Sequence, residues 1–435
     1  MRIFITLMFI TALNTTAAET NSDKTPLPFA DMSNDLFYEQ QMKAAPYFNE
    51  DTQNHRKLNI PALNNQNEGF KSSQTINFAQ PDWHLRAFKG NKEIEISTSV
   101  GRVLTIEMAQ DDKQVFYRYR ANNSSFNELF EPWSSSKIMP ITAAILTAKQ
   151  QGLNSNFSVG QYSFADLITS VHSYSEQDVV KDDSNVIATY FANSVGRKTI
   201  TNMLQQQWLK LPNDKISLRG AYGSNPLTLE QNVWYSGDKQ YKPSTYQPSS
   251  EDPYYLSYRC ETCGLTGNKP MTTLALAEWL KRLVISERDS TTQLSNLNQK
   301  DVEVLFFGDP QSTNKKPQGM QAGVSRMLAN AIASALGKIA EQQLNDSLQV
   351  KATLDSSTNN QWQIFQKIGW GYSGTRSAGE MVYLAHVQLN DGQDDRAFTI
   401  TAQTQAKGSD SDKLYEAGRK MQLLLMKTMS ELLTR

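Results

Sequence analysis

The 435 residues are enough for one large domain or two. With 43 Lys and Arg against 44 Asp and Glu, the chain is close to neutral, which argues against a nucleic-acid polyanion as its main partner. No apolar run is long enough to span a bilayer, so no transmembrane segment is expected.

The chain opens on Arg2, an apolar run Ile3–Leu13 and the small residues Thr16-Ala17-Ala18. That order of charged, apolar and small residues predicts a secretory signal peptide over 1–18. A mature chain starting near Glu19 is then expected outside the cytoplasm, periplasmic or secreted. Residues 19–90 are rich in Asn, Gln, Ser and Pro and predict a polar leader with little core of its own. Ordered structure is expected from near Ile94. Val103–Met108 and Gln114–Tyr119 are β-rich runs flanking a hairpin. A helix follows from Ser134 to about Gln151, ahead of Gly152. Helical patterns recur at Phe164–Val171, Asp183–Ser194, Lys198–Leu209 and Leu274–Val284, the last capped by Met271-Thr272-Thr273. Residues 212–270 hold Gly, Pro, Tyr and Ser in irregular order, a loop long enough to suggest function. Met320–Leu344 is expected to be helical. Strands Trp362–Ile368, Glu380–Gln388 and Arg396–Thr404 and a helix Asp412–Leu433 close the chain. Strands at both ends and helices between them predict an α+β fold: an antiparallel sheet formed from both ends of the chain plus an all-helical middle.

The two cysteines, Cys260 and Cys263, are close in sequence. In an oxidising compartment a local disulfide is the default, with a redox pair or a half-built zinc site as alternatives; His55, His84, His172 and His386 are the only histidines that could complete the latter. No resident metal or cofactor is expected.

The chemistry concentrates in Ser134-Ser135-Ser136-Lys137, which contains a Ser-x-x-Lys at a helix start. Residues i and i+3 share one helix face. A serine in the first turn has free backbone N–H groups and the positive dipole end beside it. A lysine one turn on can take its proton if burial lowers the amine's pKa. Alone the motif is weak, since a chain this long holds about two by chance.

Its neighbours in the chain add specificity. Asp183-Ser184-Asn185 opens a helix that ends at Gly196, Thr272-Thr273 opens another, and Lys367-Ile368-Gly369 lies in a strand followed by a strand pair and a long helix. This order resembles the penicillin-recognising serine hydrolases, and within them the class A β-lactamases, over roughly residues 95–435. The resemblance implies a β-lactamase/transpeptidase-like domain over 91–435 with inserts near 212–270 and 305–350. It implies Ser134 as nucleophile, Lys137 as base, Asn185 as partner of the substrate amide and Lys367 as a source of positive field. An oxyanion would be held by the Ser134 N–H and an N–H of the Lys367–Trp370 strand. Gly369, Trp370, Asp183 and Arg376 are the candidate substrate-binding residues, Arg376 through bidentate contact with a carboxylate.

The departures are as informative. The family's Ser-Asp-Asn reads Asp-Ser-Asn here, which puts the carboxylate of Asp183 where a hydroxyl normally relays a proton. The Lys-Thr-Gly reads Lys-Ile-Gly, so Ile368 lacks a hydroxyl. The Glu-x-x-Leu-Asn of the omega loop is missing; Glu251, Asp252 and Glu261 are the nearest acids, and none sits in that motif. Two functions follow. One is an extracytoplasmic serine hydrolase that acylates Ser134 and acts on a β-lactam or a peptidoglycan-type amide. The other is a catalytically weakened module of the same fold that binds cell-wall fragments or a protein partner.

Asp183 could pair with Lys137 or Lys367 or simply cap a helix. If it lies in the cleft, a lysine paired with it is held protonated and is a poor base. Asp183→Ser is therefore expected to speed acylation of Ser134, within the roughly 10²–10⁴-fold that general acid–base groups contribute. Stopped-flow acylation across pH measures this, and slower acylation in the variant would mean that Asp183 itself relays the proton.

Overall fold

The structure is a computed structural model that describes residues 26–49, 56–64, 68–174, 184–244, 254–260, 265–313, 316–337 and 339–434. Six strands form its main antiparallel sheet: β1 (Lys71–Ser72), β2 (Arg102–Gln110), β3 (Val115–Ala121), β4 (Trp362–Ser373), β5 (Ala378–Asn390) and β6 (Asp395–Lys407). Their order across the sheet is β1-β3-β2-β6-β5-β4. The two ends of the chain meet where β6 pairs with β2, from Phe398 opposite Glu107 to Gln403 opposite Arg102. The fold is α+β, with the sheet drawn from both ends of the chain as expected.

The helices that cover the sheet are α1 (Ile138–Gln150), α2 (Phe164–Ser173), α3 (Ser184–Val195), α4 (Thr273–Ile285), α5 (Gln299–Phe307), α6 (Met327–Gly337) and α7 (Lys413–Leu433). Thr272 caps α4, its hydroxyl accepting from the Ala275 N–H at 3.1 Å. The strands β5 and β6 are buried along almost their whole length because both faces of the sheet are covered. Alternation along β5 shows this directly. Val382 and Leu384 enter the core beneath α1–α5, while Met381, Tyr383 and Ala385 enter the core beneath α6 and α7.

Three expectations change. First, the described parts of 19–90 are not an extended leader. Phe37, Met42, Leu58, Ile60, Ile76, Phe78 and Trp83 are buried in the two cores. Phe37 fits against Gly418, where a Cβ would come within 2.8 Å of its ring. Arg419 of α7 donates to the carbonyls of Phe29 and Met32 at 3.1 and 2.6 Å and to Asn34 Oδ1 at 2.9 Å. Trp83 donates from its indole to the Leu209 carbonyl at 3.1 Å. Sparse apolar anchors at the right places outweigh a polar average. Second, Met320–Leu344 is not one helix. A 3₁₀ turn (Gly319–Ala322), α6 and a second 3₁₀ turn (Glu341–Asn345) replace it. The break falls at Gly323, where a Cβ would lie 2.2 Å from the Gln366 carbonyl. Third, β4 runs five residues past the expected Ile368, through Gly369 and Gly371. The signal peptide over 1–18, Asp183, Cys263 and the acids Glu251, Asp252 and Glu261 lie outside the described residues, and with Cys263 the expected Cys260–Cys263 pairing.

A buried charge network joins α4 to β3. Glu278 accepts from Lys281 at 3.1 Å and Arg282 at 2.8 Å, and all three are buried. Tyr119 donates its hydroxyl to the same carboxylate. Burial pushes the Glu278 carboxyl upward, but Lys281 and Arg282 outweigh it and hold the group below its ordinary value. Lys281 also stands 4.2 Å from the Phe78 ring centre and 4.3 Å from that of Tyr117. Glu278→Ala leaves two cations buried without their acid and is expected to cost about 3–5 kcal/mol. Glu416→Ala, which removes a half-exposed pair with Lys413, is expected to cost at most about 1 kcal/mol. Urea unfolding of the two variants checks the contrast; equal costs would show that the buried network is not a stabilising unit.

Candidate active site

The Ser134 segment is a 3₁₀ turn, Trp133–Lys137, that runs directly into α1. Trp133 adopts φ 51°, the left-handed region, which is strained for a bulky residue. Its indole N–H donates to Glu380 Oε2 at 2.9 Å, and Arg376 grips that carboxylate through two bonds of 2.7 and 2.6 Å. Arg376 also donates to the Thr266 carbonyl. This is a correction to its expected role. The guanidinium of Arg376 is committed to Glu380 and holds Trp133, so its fork does not point at a substrate carboxylate.

The three serines of the turn are not equivalent. Ser135 donates to the Pro132 carbonyl at 2.6 Å, and Ser136 donates to the Trp133 carbonyl at 3.1 Å. Ser136 also lies 3.0 Å from the Tyr222 hydroxyl. The Ser134 hydroxyl has no hydrogen-bond partner among the described residues and is partly exposed. Geometry thus singles out the serine that the spacing to Lys137 picks.

Strand β4 lies against this turn. A Cβ at Gly369 would sit 2.4 Å from the Ser134 nitrogen and 2.8 Å from the Ser135 nitrogen. A Cβ at Gly371 would sit 2.4 Å from the Trp133 ring. Only glycine permits this approach, which is why β4 carries glycines in its interior. Because β4 is the sheet's edge, alternate backbone groups face away from β5. Tyr174 donates to the Ile368 carbonyl at 3.1 Å, which marks the outward side. Two residues on, by the strand's period, the Trp370 N–H faces the same way. It therefore shares the region beside Ser134 with that residue's own N–H, a pair of the kind that holds an oxyanion.

Lys137 is fully buried, and its Nζ donates to Ser184 Oγ at 2.8 Å and Asn185 Oδ1 at 2.7 Å. Lys367 is also buried and donates to the Tyr174 hydroxyl at 2.6 Å, with the ring centre 3.8 Å away. Lys137 Nζ lies 5.5 Å from that same ring centre. The structure therefore brings Ser134, Lys137, Asn185, Lys367, Gly369 and Trp370 together around Tyr174. His172, fully buried just before it, donates or accepts at Nδ1 with the Ile168 carbonyl at 2.8 Å. Burial, then Lys367 among its neighbours, lowers its pKa to about 3, so the ring is neutral.

A second cluster backs the turn. Tyr222 lies between two ammonium groups, its ring centre 5.7 Å from Lys137 Nζ and 4.2 Å from Lys269 Nζ. Glu131 accepts from the backbone N–H groups of Asn268 and Lys269 at 2.7 and 3.1 Å. Phe130 and Met271 exchange backbone bonds of 2.9 and 3.0 Å. These contacts fasten the segment after the long loop to the Ser134 turn. Tyr174, Tyr222, Lys269 and Glu380 were not legible in the sequence: each stands outside any motif, and only the fold brings it to Ser134. Among the described residues no group of three or more His, Cys, Asp or Glu is placed to hold a metal ion, and no helix is long and apolar enough to cross a membrane.

No protein-family model matches the sequence, and no curated protein matches it. Solved structures similar to this chain include a chromosome-encoded β-lactamase of Vibrio parahaemolyticus, 14% identical, covering 77% of this chain and 94% of its own, at a TM-score of 0.34. A class A β-lactamase from Mycobacterium abscessus is 12% identical, with 74% and 93% covered and a TM-score of 0.35. A class D β-lactamase from Fusobacterium nucleatum is 12% identical, with 75% and 92% covered and a TM-score of 0.33. At such identities and scores the functional reading rests on the geometry around Ser134.

Lys269 offers a pH test of this packing. Burial lowers its pKa from 10.5 to about 8, against the opposing pull of Glu131. Between those values the unfolded chain holds a proton that the folded chain has released, so stability rises with pH across that window. The penalty is complete below about pH 8 and fades toward the unfolded value. Relative to Lys269→Met, the wild type is expected to gain on the order of 2 kcal/mol between pH 7 and pH 10. Denaturant unfolding at the two pH values measures it; a gap that does not change with pH would show that Lys269 is solvated.

Proposed function

We propose that this protein is an extracytoplasmic serine hydrolase that forms an acyl-enzyme on Ser134 and acts on a β-lactam or a peptidoglycan-type amide. The observation that carries the reading is the convergence of a hydroxyl without a partner among the described residues, two buried lysines and two backbone N–H groups at the free edge of β4. In this reading a β-lactamase-like domain over residues 91–435, with inserts near 212–270 and 305–350, works together with the described parts of 26–90 that pack into its cores. A signal peptide over 1–18 would send it to the periplasm or the medium.

In this reading Ser134 Oγ attacks the substrate carbonyl, its proton leaves to Lys137, and the oxyanion is held by the N–H groups of Ser134 and Trp370. The C–N bond then breaks and the proton that Lys137 took passes to the leaving nitrogen. The Tyr174 hydroxyl, hydrogen-bonded by Lys367, is the candidate relay for that proton. Asn185 holds Lys137 by its amide oxygen and in this reading also partners the substrate amide. Water then cleaves the ester. Ahead of Thr272 the sequence lacks the omega-loop Glu-x-x-Leu-Asn, whose glutamate orients the deacylating water in class A enzymes, so this second step is expected to be slow and the acyl-enzyme to accumulate.

One observation favours a second reading, a binding module of the same fold. The hydrogen bonds of Lys137 to described residues go to Ser184 and Asn185, and none goes to Ser134. Intact-protein mass after incubation with a penicillin or an activated-serine phosphonate decides between them. The expected result is a stoichiometric adduct that Ser134→Ala abolishes and that Lys137→Ala slows by about 10²–10⁴-fold. Saturable binding without an adduct supports the module, and an adduct that survives Ser134→Ala overturns the assignment of the nucleophile.

A further inference from the structure

An aromatic strip leads away from the candidate active site. It begins at Tyr174, whose ring meets Trp370 edge to face with centres 5.3 Å apart. Trp370 meets Tyr38 at 5.9 Å, and Tyr38 meets Tyr415 at 6.2 Å, again edge to face. All four rings are partly exposed. The strip crosses four separate parts of the chain, since Tyr174 follows α2, Trp370 lies in β4, Tyr38 belongs to the N-terminal segment and Tyr415 to the first turn of α7. Phe37 and Arg419 hold that segment in place from below, so Tyr38 is a fixed ring and not a loose side chain.

The strip is electrically polarised. Its inner end has the buried ammonium groups of Lys137 and Lys367. Its outer end has Asp35 and Asp412, both exposed, with Asn34 donating to Asp412 at 3.2 Å. Burial and then these two carboxylates raise the Tyr415 hydroxyl's pKa, which places their charge close to that ring. Lys43 stands 6.0 Å from the Tyr38 ring centre, so a ring of this strip already lies within reach of a cation. Aromatic faces beside carboxylates favour an ammonium group over a neutral or anionic one.

We propose that the strip is a distal subsite of Ser134, and that the substrate is an elongated amide whose far end carries an ammonium group seated on Tyr38 and Tyr415 beside Asp35 and Asp412. This rests on the acyl-enzyme reading and adds the substrate's charge pattern to it. The test uses three acylating phosphonates: one with a flexible tail ending in a primary amine, its N-acetylated twin, and one with no tail. Wild type is expected to be labelled roughly tenfold faster by the amine than by its twin. That preference should vanish in Tyr38→Ala/Tyr415→Ala and in Asp35→Asn/Asp412→Asn, with labelling by the tail-less probe unchanged. The aspartate pair is exposed, so its variant tests the subsite even if the tyrosine pair disturbs packing. Equal labelling by the twins in wild type, or a preference that survives both double variants, overturns the subsite. No labelling by the tail-less probe overturns the acyl-enzyme reading itself, and the subsite with it.

Discussion

Everything around Ser134 depends on how closely β4 can approach the Trp133–Lys137 turn. A methyl group at Gly369 or Gly371 would overlap the Ser134 nitrogen or the Trp133 ring at 2.4 Å, well inside van der Waals contact. The approach fixes three things together. It sets the distance between the two candidate oxyanion donors, it seats Trp133 where Glu380 can hold it at φ 51°, and it brings Lys367 of β4 to the same tyrosine as Lys137 of the turn. Backbone strain at Trp133 is sustained by an ion pair on the neighbouring strand, with Arg376 gripping Glu380 at both oxygens.

The outline of the fold was legible because its strands and helices carry strong periods. The meeting of the two chain ends in one sheet, the capped α4 and the long α7 follow from alternation, a Thr cap and an apolar stripe. What local pattern could not show came from long-range contact. Glycines lower strand propensity, so β4 reads as ending at Ile368, yet those glycines are where strand and turn touch. A polar composition hid the anchors Phe37, Trp83 and Leu58, since averages over a segment do not show which few side chains find a cavity. In the site, the serine, the lysine and Asn185 lie in motifs and were legible. Tyr174 and Tyr222 were not, because each reaches Lys137 only through the packing of α2 and of the 220–224 segment. Arg376 was misread because its spacing from Glu380, four residues across a hairpin, makes an internal pair as readily as a substrate contact.

The electrostatic pattern around the site is unusual in how much positive charge is buried. Lys137, Lys269 and Lys367 are each at most 3% exposed. Their partners among the described residues include a hydroxyl and an amide oxygen for Lys137, a carbonyl and a tyrosine face for Lys269, and a phenol and a carbonyl for Lys367. Burial of an amine favours its neutral form. Lys269 shows the consequence in its lowered value. The proposed acyl transfer at Ser134 calls on that same tendency, because a base must be free of its proton when the serine attacks.

The N-terminal segment belongs to this arrangement and not to its periphery. Phe37 and Met42 fill the space that Gly418 leaves open in α7, and Arg419 satisfies three oxygens of the segment. The same helix packs on β5 and β6, whose pairing carries β4 and hence Gly369. Docking of the segment and placement of the edge strand therefore share one support. Tyr38 reaches Trp370 because both are positioned from α7, one through Phe37 and the other through the sheet. A polar stretch that local pattern reads as a leader thus becomes one wall of the surface beside Ser134, held there by Phe37, Met42 and Arg419 and by the backbone bonds of Gln41 and Ala44 to the residues just ahead of α6.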